Sequence, residues 1–170
     1  KRAIDLINAH GIISETSFVL GTPEETPKSI RETVELAKWY APDMAFFLAL
    51  TPWPYADLFE GLVEHVAVKD YRRYNLTEPV IKPKAMTLEE MHKALFHATG
   101  DFFHDKFLHL GQLTPAKREY MVRVLKLLIE HSYLGKEMRA LAGHKRMPRA
   151  VRAMLRELGV GERVGQPAVL

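Results

Sequence analysis

A short β-branched and aromatic run, Thr16 to Leu20, breaks off at Gly21-Thr22-Pro23 and leads into Glu24-Glu25-Thr26. The run reads as a buried strand. Gly21 permits a sharp exit from it, and Pro23 fixes φ in the next turn. Glu24, Glu25 and Thr26 are expected to open an amphipathic helix, with acid at its positive end where the dipole favours it. Its apolar positions Ile30, Val34, Ala37 and Tyr40 fall on one face between Pro27 and Tyr40, with Arg31, Glu32, Glu35 and Lys38 opposite. Pro42 ends it. A second strand, Met44 to Leu50, is apolar throughout, as expected of a parallel strand covered on both faces. Tandem strand–helix units of this length demand a parallel sheet with right-handed crossovers. The expected fold class is therefore α/β, with residues 1–62 running helix, strand, helix, strand, helix.

The remainder changes character twice. Residues 63–86 hold Pro79 and Pro83 and no clear helical period, which predicts an extended connector. Tyr71, Tyr74, Val80 and Ile81 make it a segment that packs across something, since a free linker would be richer in Gly and Ser. Residues 87–160 read as an all-helical region. Thr87-Leu88-Glu89-Glu90 is a capping box, and Leu88, Met91, Leu95, Ala98 and Phe102 then recur at helical spacing until Gly111. Thr114 with Pro115 starts another helix, with Met121, Leu125, Leu128 and Ile129 on its core face. Met147-Pro148 precedes a short basic helix around Val151 to Leu158, and residues 161–170 read as a flexible tail.

The 170 residues can bury one ordinary core, and a composition 47% hydrophobic and 26% charged is that of a globular protein. There is no cysteine, which argues against a disulfide-stapled secreted domain. No apolar run reaches the roughly 18 residues a membrane span needs, and no signal peptide is read, so a cytoplasmic location is expected.

The two βα units carry a family resemblance. Ser17-Phe18-Val19-Leu20-Gly21-Thr22-Pro23-Glu24 is similar to the Gly-x-Ile-x-Gly-x-x-Glu pattern on the fifth barrel strand of radical S-adenosylmethionine enzymes, with Ser for the first Gly and Val for Ile. Met44 to Leu62 resembles their sixth strand and the helix after it, although Thr51-Pro52-Trp53-Pro54 departs from the usual Pro-Gly-Thr turn. Asp70-Tyr71-Arg72-Arg73-Tyr74-Asn75 and Pro79-Val80-Ile81-Lys82-Pro83 further resemble cobalamin-dependent members, the anaerobic magnesium-protoporphyrin ester cyclase group above all. The resemblance implies the C-terminal portion of a partial (β/α)6 TIM-like barrel, followed by the helical region. It implies a parent enzyme using S-adenosylmethionine, a four-iron four-sulfur cluster and cobalamin, in cyclase or methyltransferase chemistry. The cluster is held in that family by a CxxxCxxC loop, and a chain without cysteine cannot supply those thiolates. The start at Lys1, inside what reads as a helix end, adds to the expectation of a fragment whose partner is the upstream half of its own barrel.

The resemblance also implies site residues. Val19, Leu20 and Gly21 would wall the adenosine, Gly21 because a side chain would occupy the ligand's space; a glycine that merely makes the turn is the alternative. Glu24 matches the motif's Glu and is expected mainly to cap the following helix. Leu50 and Thr51 would offer backbone groups to the adenine edge. Trp53 could face a large flat substrate, tetrapyrrole or lipid-like, or simply cover the barrel rim. Tyr71, Arg72 and Arg73 could meet a substrate carboxylate, or form a solvated charge run.

Other clusters read as structural. His92, His97, His104 and His109 are spaced too irregularly for one metal ion, and none is assigned. Lys136, Arg139, His144, Lys145, Arg146, Arg149, Arg152 and Arg156 make a basic tail, but Glu137 and Glu157 dilute it and no aromatic platform accompanies it, so no nucleic-acid partner is expected. The competing account of the whole is a non-catalytic α/β plus helical interaction module, or a subunit.

Overall fold

In the computed structural model, which describes residues 1–131, helix α1 (Arg2–Ala9) is followed by strand β1 (Glu15–Leu20), helix α2 (Pro27–Tyr40), strand β2 (Met44–Ala49) and the short helix α3 (Leu58–Leu62). This is the order expected for residues 1–62. The strands pair in parallel, Glu15 beside Met44 through Leu20 beside Ala49. The described residues are thus mixed α/β with a two-stranded parallel sheet. The basic helix expected around Val151 to Leu158, the basic tail and the flexible terminus lie outside the described residues.

Alternation along the strands gives the sheet two unlike faces. Thr16, Phe18 and Leu20 share one face with Ala45, Phe47 and Ala49, and that face is covered. Phe18 stacks on Phe47 at 5.5 Å and on Tyr40 of α2 at 6.4 Å between ring centroids. Ile30, Val34 and Ala37 of α2 are buried, as their spacing predicts. On the opposite face Glu15, Ser17 and Val19 of β1 are exposed, while on β2 Met44 is buried and Phe46 and Leu48 are half-buried. β2 is therefore buried more completely than β1, and the expectation that it is covered on both faces holds fully on one and in part on the other.

Helix α2 begins later than the acids suggest. Thr26 is extended and accepts the Ser29 N–H, while Ser29 Oγ accepts the Thr26 N–H, each at 3.0 Å. This reciprocal cap puts Pro27 at the first helical position and leaves Glu24 and Glu25 in the preceding turn, so the first helical turn carries no acid. The helix ends at Ala41, left-handed at φ 55°, just before Pro42. At the amino ends of the strands, the buried Asp43 carboxylate accepts the Ser14 N–H at 2.8 Å and the Ser14 hydroxyl at 3.0 Å, and Ser14 Oγ accepts the Asp43 N–H.

The connector is anchored rather than free. After α3 and a 3-10 turn at Val63–His65, Val66 bridges Ile81 antiparallel. Leu62, Val68, Tyr74, Val80 and Ile81 form a second apolar cluster, against which Leu50, Trp53, Val66 and Leu88 pack. Tyr74 donates its hydroxyl to the Val68 carbonyl at 3.1 Å.

Helix α4 (Leu88–Leu108) opens on the expected capping box, the Glu90 carboxylate accepting the Thr87 N–H at 2.8 Å and Thr87 Oγ1 accepting the Glu90 N–H at 3.2 Å. It buries Met91, Leu95, Ala98, Phe102 and Phe103. Phe102 meets Phe47 edge-on at 6.2 Å, which brings α4 to the covered face of the sheet. The chain divides into two compact units, the first Lys1–Asp105 and the second beginning at Lys106. The second unit holds a 3-10 turn containing Gly111 and helix α5 (Pro115–His131), on which Met121 and Leu125 are buried. Among the described residues, no helix is long and apolar enough to cross a membrane.

Candidate functional site at the strand exits

The carboxyl ends of β1 and β2 lie side by side, joined by the Leu50 N–H donating to the Leu20 carbonyl at 2.7 Å. Beyond β1 the chain turns at Gly21, whose φ of +95° is one L side chains rarely adopt. A Cβ there would lie 3.4 Å from Met91 Cε of α4, so the glycine is required by its backbone conformation, with α4 close on one side.

Two adjacent glutamates divide the work of this turn. Glu25 is only 7% exposed. One of its carboxylate oxygens accepts the Gly21 N–H at 3.1 Å and the other accepts the Ser29 hydroxyl, so it ties the strand exit to the first turn of α2. Its own N–H donates to the Thr22 carbonyl at 3.0 Å, which turns it inward. Glu24 points outward, its carboxylate on Lys84 Nζ at 2.9 Å, and this hydrogen bond holds it below the ordinary carboxylate value. The capping expected of Glu24 therefore falls to Thr26, Ser29 and Glu25.

The other singled-out residues fall into three settings. Val19 is 55% exposed on the open face, whereas Leu20 faces the helices and is buried. Leu50 is half-buried against the second cluster, and Thr51, 7% exposed, turns its hydroxyl back onto the Ala49 carbonyl at 3.0 Å. Trp53, half-buried, is tilted against Tyr74 at 5.9 Å and stacked on Tyr55 at 6.2 Å. Tyr71 meets Tyr74 edge-on at 5.0 Å. A run of four rings, Tyr55, Trp53, Tyr74 and Tyr71, thus extends from the exit of β2, with Tyr55 84% exposed at its end.

Both arginines already have partners. Arg72 makes a two-pronged contact with Asp70, Nε and Nη2 donating at 2.9 and 2.8 Å, and Arg73 Nε donates to Glu78 at 2.8 Å. These contacts hold Asp70 and Glu78 below their ordinary values. His92, His97, His104 and His109 are strung along and just past α4, and among the described residues no three His, Asp or Glu side chains are grouped to hold a metal ion.

Sequence reasoning did not single out Glu25, Ser29, Tyr55 or Lys84 as site residues, and read Met91 only as part of the core stripe of α4. A signal existed for the first pair, since Glu25 and Ser29 stand four apart at a helix start. None existed for Lys84, which comes to Glu24 across 60 positions.

Comparison with known proteins finds curated relatives of the chain. The chain is 35% identical over 135 residues to the anaerobic magnesium-protoporphyrin IX monomethyl ester cyclase of Rubrivivax gelatinosus, a match covering 78% of the chain and 24% of that protein. It is 33% identical over 132 residues to the cyclase of the same name from Cereibacter sphaeroides, covering 76% and 22%. The chain is a relative of part of these cyclases. The resemblance to the anaerobic magnesium-protoporphyrin ester cyclase group is thereby borne out. An uncharacterised methyltransferase of Pyrococcus horikoshii is 30% identical over 131 residues, covering 72% of the chain and 28% of that protein. The chain spans about a quarter of the length of the curated relatives it matches. No family model matches the chain. No solved structure matches it either.

Proposed function

We propose that the chain is the closing portion of a (β/α)6 barrel in a cobalamin-type radical S-adenosylmethionine enzyme, of the cyclase or methyltransferase kind. The observation that carries the proposal is the pair of adjacent parallel strand exits with an open face beside them. Ligands of α/β proteins bind at the carboxyl ends of parallel strands, and here those ends combine a positive-φ glycine with an exposed apolar side chain, Val19. The similarity to named cyclases and to a methyltransferase supports the same reading.

In this reading Val19 lies under the adenine, and the Gly21 turn, stiffened by Glu25, lets backbone approach the nucleoside. Thr51 and Leu50 would contribute backbone rather than side chains, since the Thr51 hydroxyl is already satisfied internally. Leu20, buried on the helix side, would act through its carbonyl and its packing. Trp53 and the exposed Tyr55 would form the rim against a flat substrate, a tetrapyrrole by analogy with the cyclases. Arg72 and Arg73, already paired, would reach a substrate carboxylate only by exchanging partners.

The iron–sulfur cluster does not fit this chain, which has no cysteine to ligate it. Its ligands, and those of any cobalamin, would belong to the rest of a longer protein, which also supplies the remaining barrel strands. S-adenosylmethionine, when bound beside such a cluster, supplies radical hydrogen abstraction; the residues here orient it and exclude water. The test is to reconstitute the complete protein anaerobically and supply S-adenosylmethionine and a reductant. Formation of 5′-deoxyadenosine supports the reading. Its absence from a fully cluster-loaded protein contradicts it.

A further inference from the structure

Residues 76–84 cross the exits of both strands. At β2, the Ala49 N–H donates to the Leu76 carbonyl at 2.7 Å, so the segment occupies the outer edge of that strand. Leu76 does this in a left-handed conformation, φ 64°, which a leucine holds only where its surroundings insist. Those surroundings are the Asn75 side chain, which accepts the Thr77 and Glu78 N–H groups, and the Glu78 carboxylate, held by Arg73 and by Asn75 Nδ2. Val80 and Ile81 are fully buried, and the Lys82 N–H donates to the His65 carbonyl. At β1, the Lys84 N–H donates to the Pro23 carbonyl at 2.8 Å while its ammonium pairs with Glu24 at 2.9 Å.

We infer that Lys84 is a positioning residue for the nucleoside site, clasping the Gly21-to-Glu25 turn to a strap that spans both strand exits. The inference rests on the proposed nucleoside site. Both partners of the pair are well exposed, so the contact contributes little to folding. Its consequence lies in where the turn sits. Glu25 fixes the turn from inside; Lys84 fixes it from outside, against a segment that is itself anchored at β2. Without the ammonium, the backbone bond and the fold remain, but a ligand must then immobilise the turn as it binds, and affinity falls. The lowered titration of Glu24 is what such a contact produces.

The test uses the complete protein and S-adenosylhomocysteine as probe, with affinity read by calorimetry and the melting temperature recorded alongside. Lys84→Glu and Glu24→Lys are each expected to weaken binding about two- to five-fold at low salt, the range an exposed ion pair supports. The melting temperature should change little. The double exchange, Glu24→Lys with Lys84→Glu, should restore affinity, and the differences should shrink at high salt. Single variants that bind like wild type overturn the inference. So does a double variant as weak as the singles, which would mean that Glu24 touches the ligand itself. If wild-type protein binds no S-adenosylhomocysteine, the nucleoside reading fails first and takes the clasp with it.

Discussion

Gly21 and Glu25 act as one device: a backbone turn that only glycine adopts comfortably, held by a buried carboxylate on its N–H. Gly21→Ala meets no severe clash but forces a side chain into positive φ, and is expected to cost about 1–3 kcal/mol in urea unfolding. Glu25→Gln should cost less than Glu25→Ala, because the amide oxygen can still accept the Gly21 N–H. The Glu24 carboxyl should titrate below its ordinary value of 4.5 by NMR and move up towards it in Lys84→Met. The sign follows from the depressed value: the clasp is present above the ordinary carboxylate range and is lost as pH falls through the folded value. The glycine was legible because few residues leave a strand so abruptly. The division of labour between Glu24 and Glu25 was not, since adjacent glutamates look alike until the Thr22-to-Glu25 turn points one inward.

Elements were read well wherever an end is chemically marked. Thr26-Pro27 and Ala41-Pro42 bracket α2, and Thr87 with Glu90 opens α4. Thr87→Ala is expected to cost about 1 kcal/mol, the usual value of an N-cap. Period alone found Met91, Leu95, Ala98 and Phe102 but missed Phe103, one position off the stripe, which is buried edge-on to Phe102. The Ser14 to Asp43 contact was invisible because it joins loop residues 29 apart. It sits at the amino ends of the strands, away from the exits. Asp43→Ala leaves the buried Ser14 N–H without this acceptor and is expected to destabilise by about 2–3 kcal/mol while sparing ligand affinity. Denaturant titration beside a binding isotherm checks both halves of that statement.

At the scale of the molecule, the described residues place one sheet face under helices and leave the other open. Val19 on that open face, and Leu6 and Ile12 in and just after α1, are exposed. Such surfaces are characteristic of a part that meets another, either the rest of a barrel or a separate partner. The isolated chain is expected to self-associate, as seen by light scattering. A monodisperse, cooperatively melting monomer would instead favour the interaction-module account. The parallel βα pattern and the resemblance were legible from two apolar strands and one turn. The connector's path was not, because strap contacts such as Leu76 to Ala49 use backbone atoms that no side-chain pattern reports.

The most direct test of the central claim is S-adenosylhomocysteine binding to the complete protein carrying Val19→Trp. Tryptophan suits a strand, and a melting temperature recorded beside the binding isotherm checks that the variant folds. Filling the space over the open face beside Gly21 is predicted to weaken binding at least about ten-fold, equivalent to some 1.4 kcal/mol. A folded variant that binds the nucleoside as tightly as wild type would contradict the assignment of these strand exits as the adenosine wall.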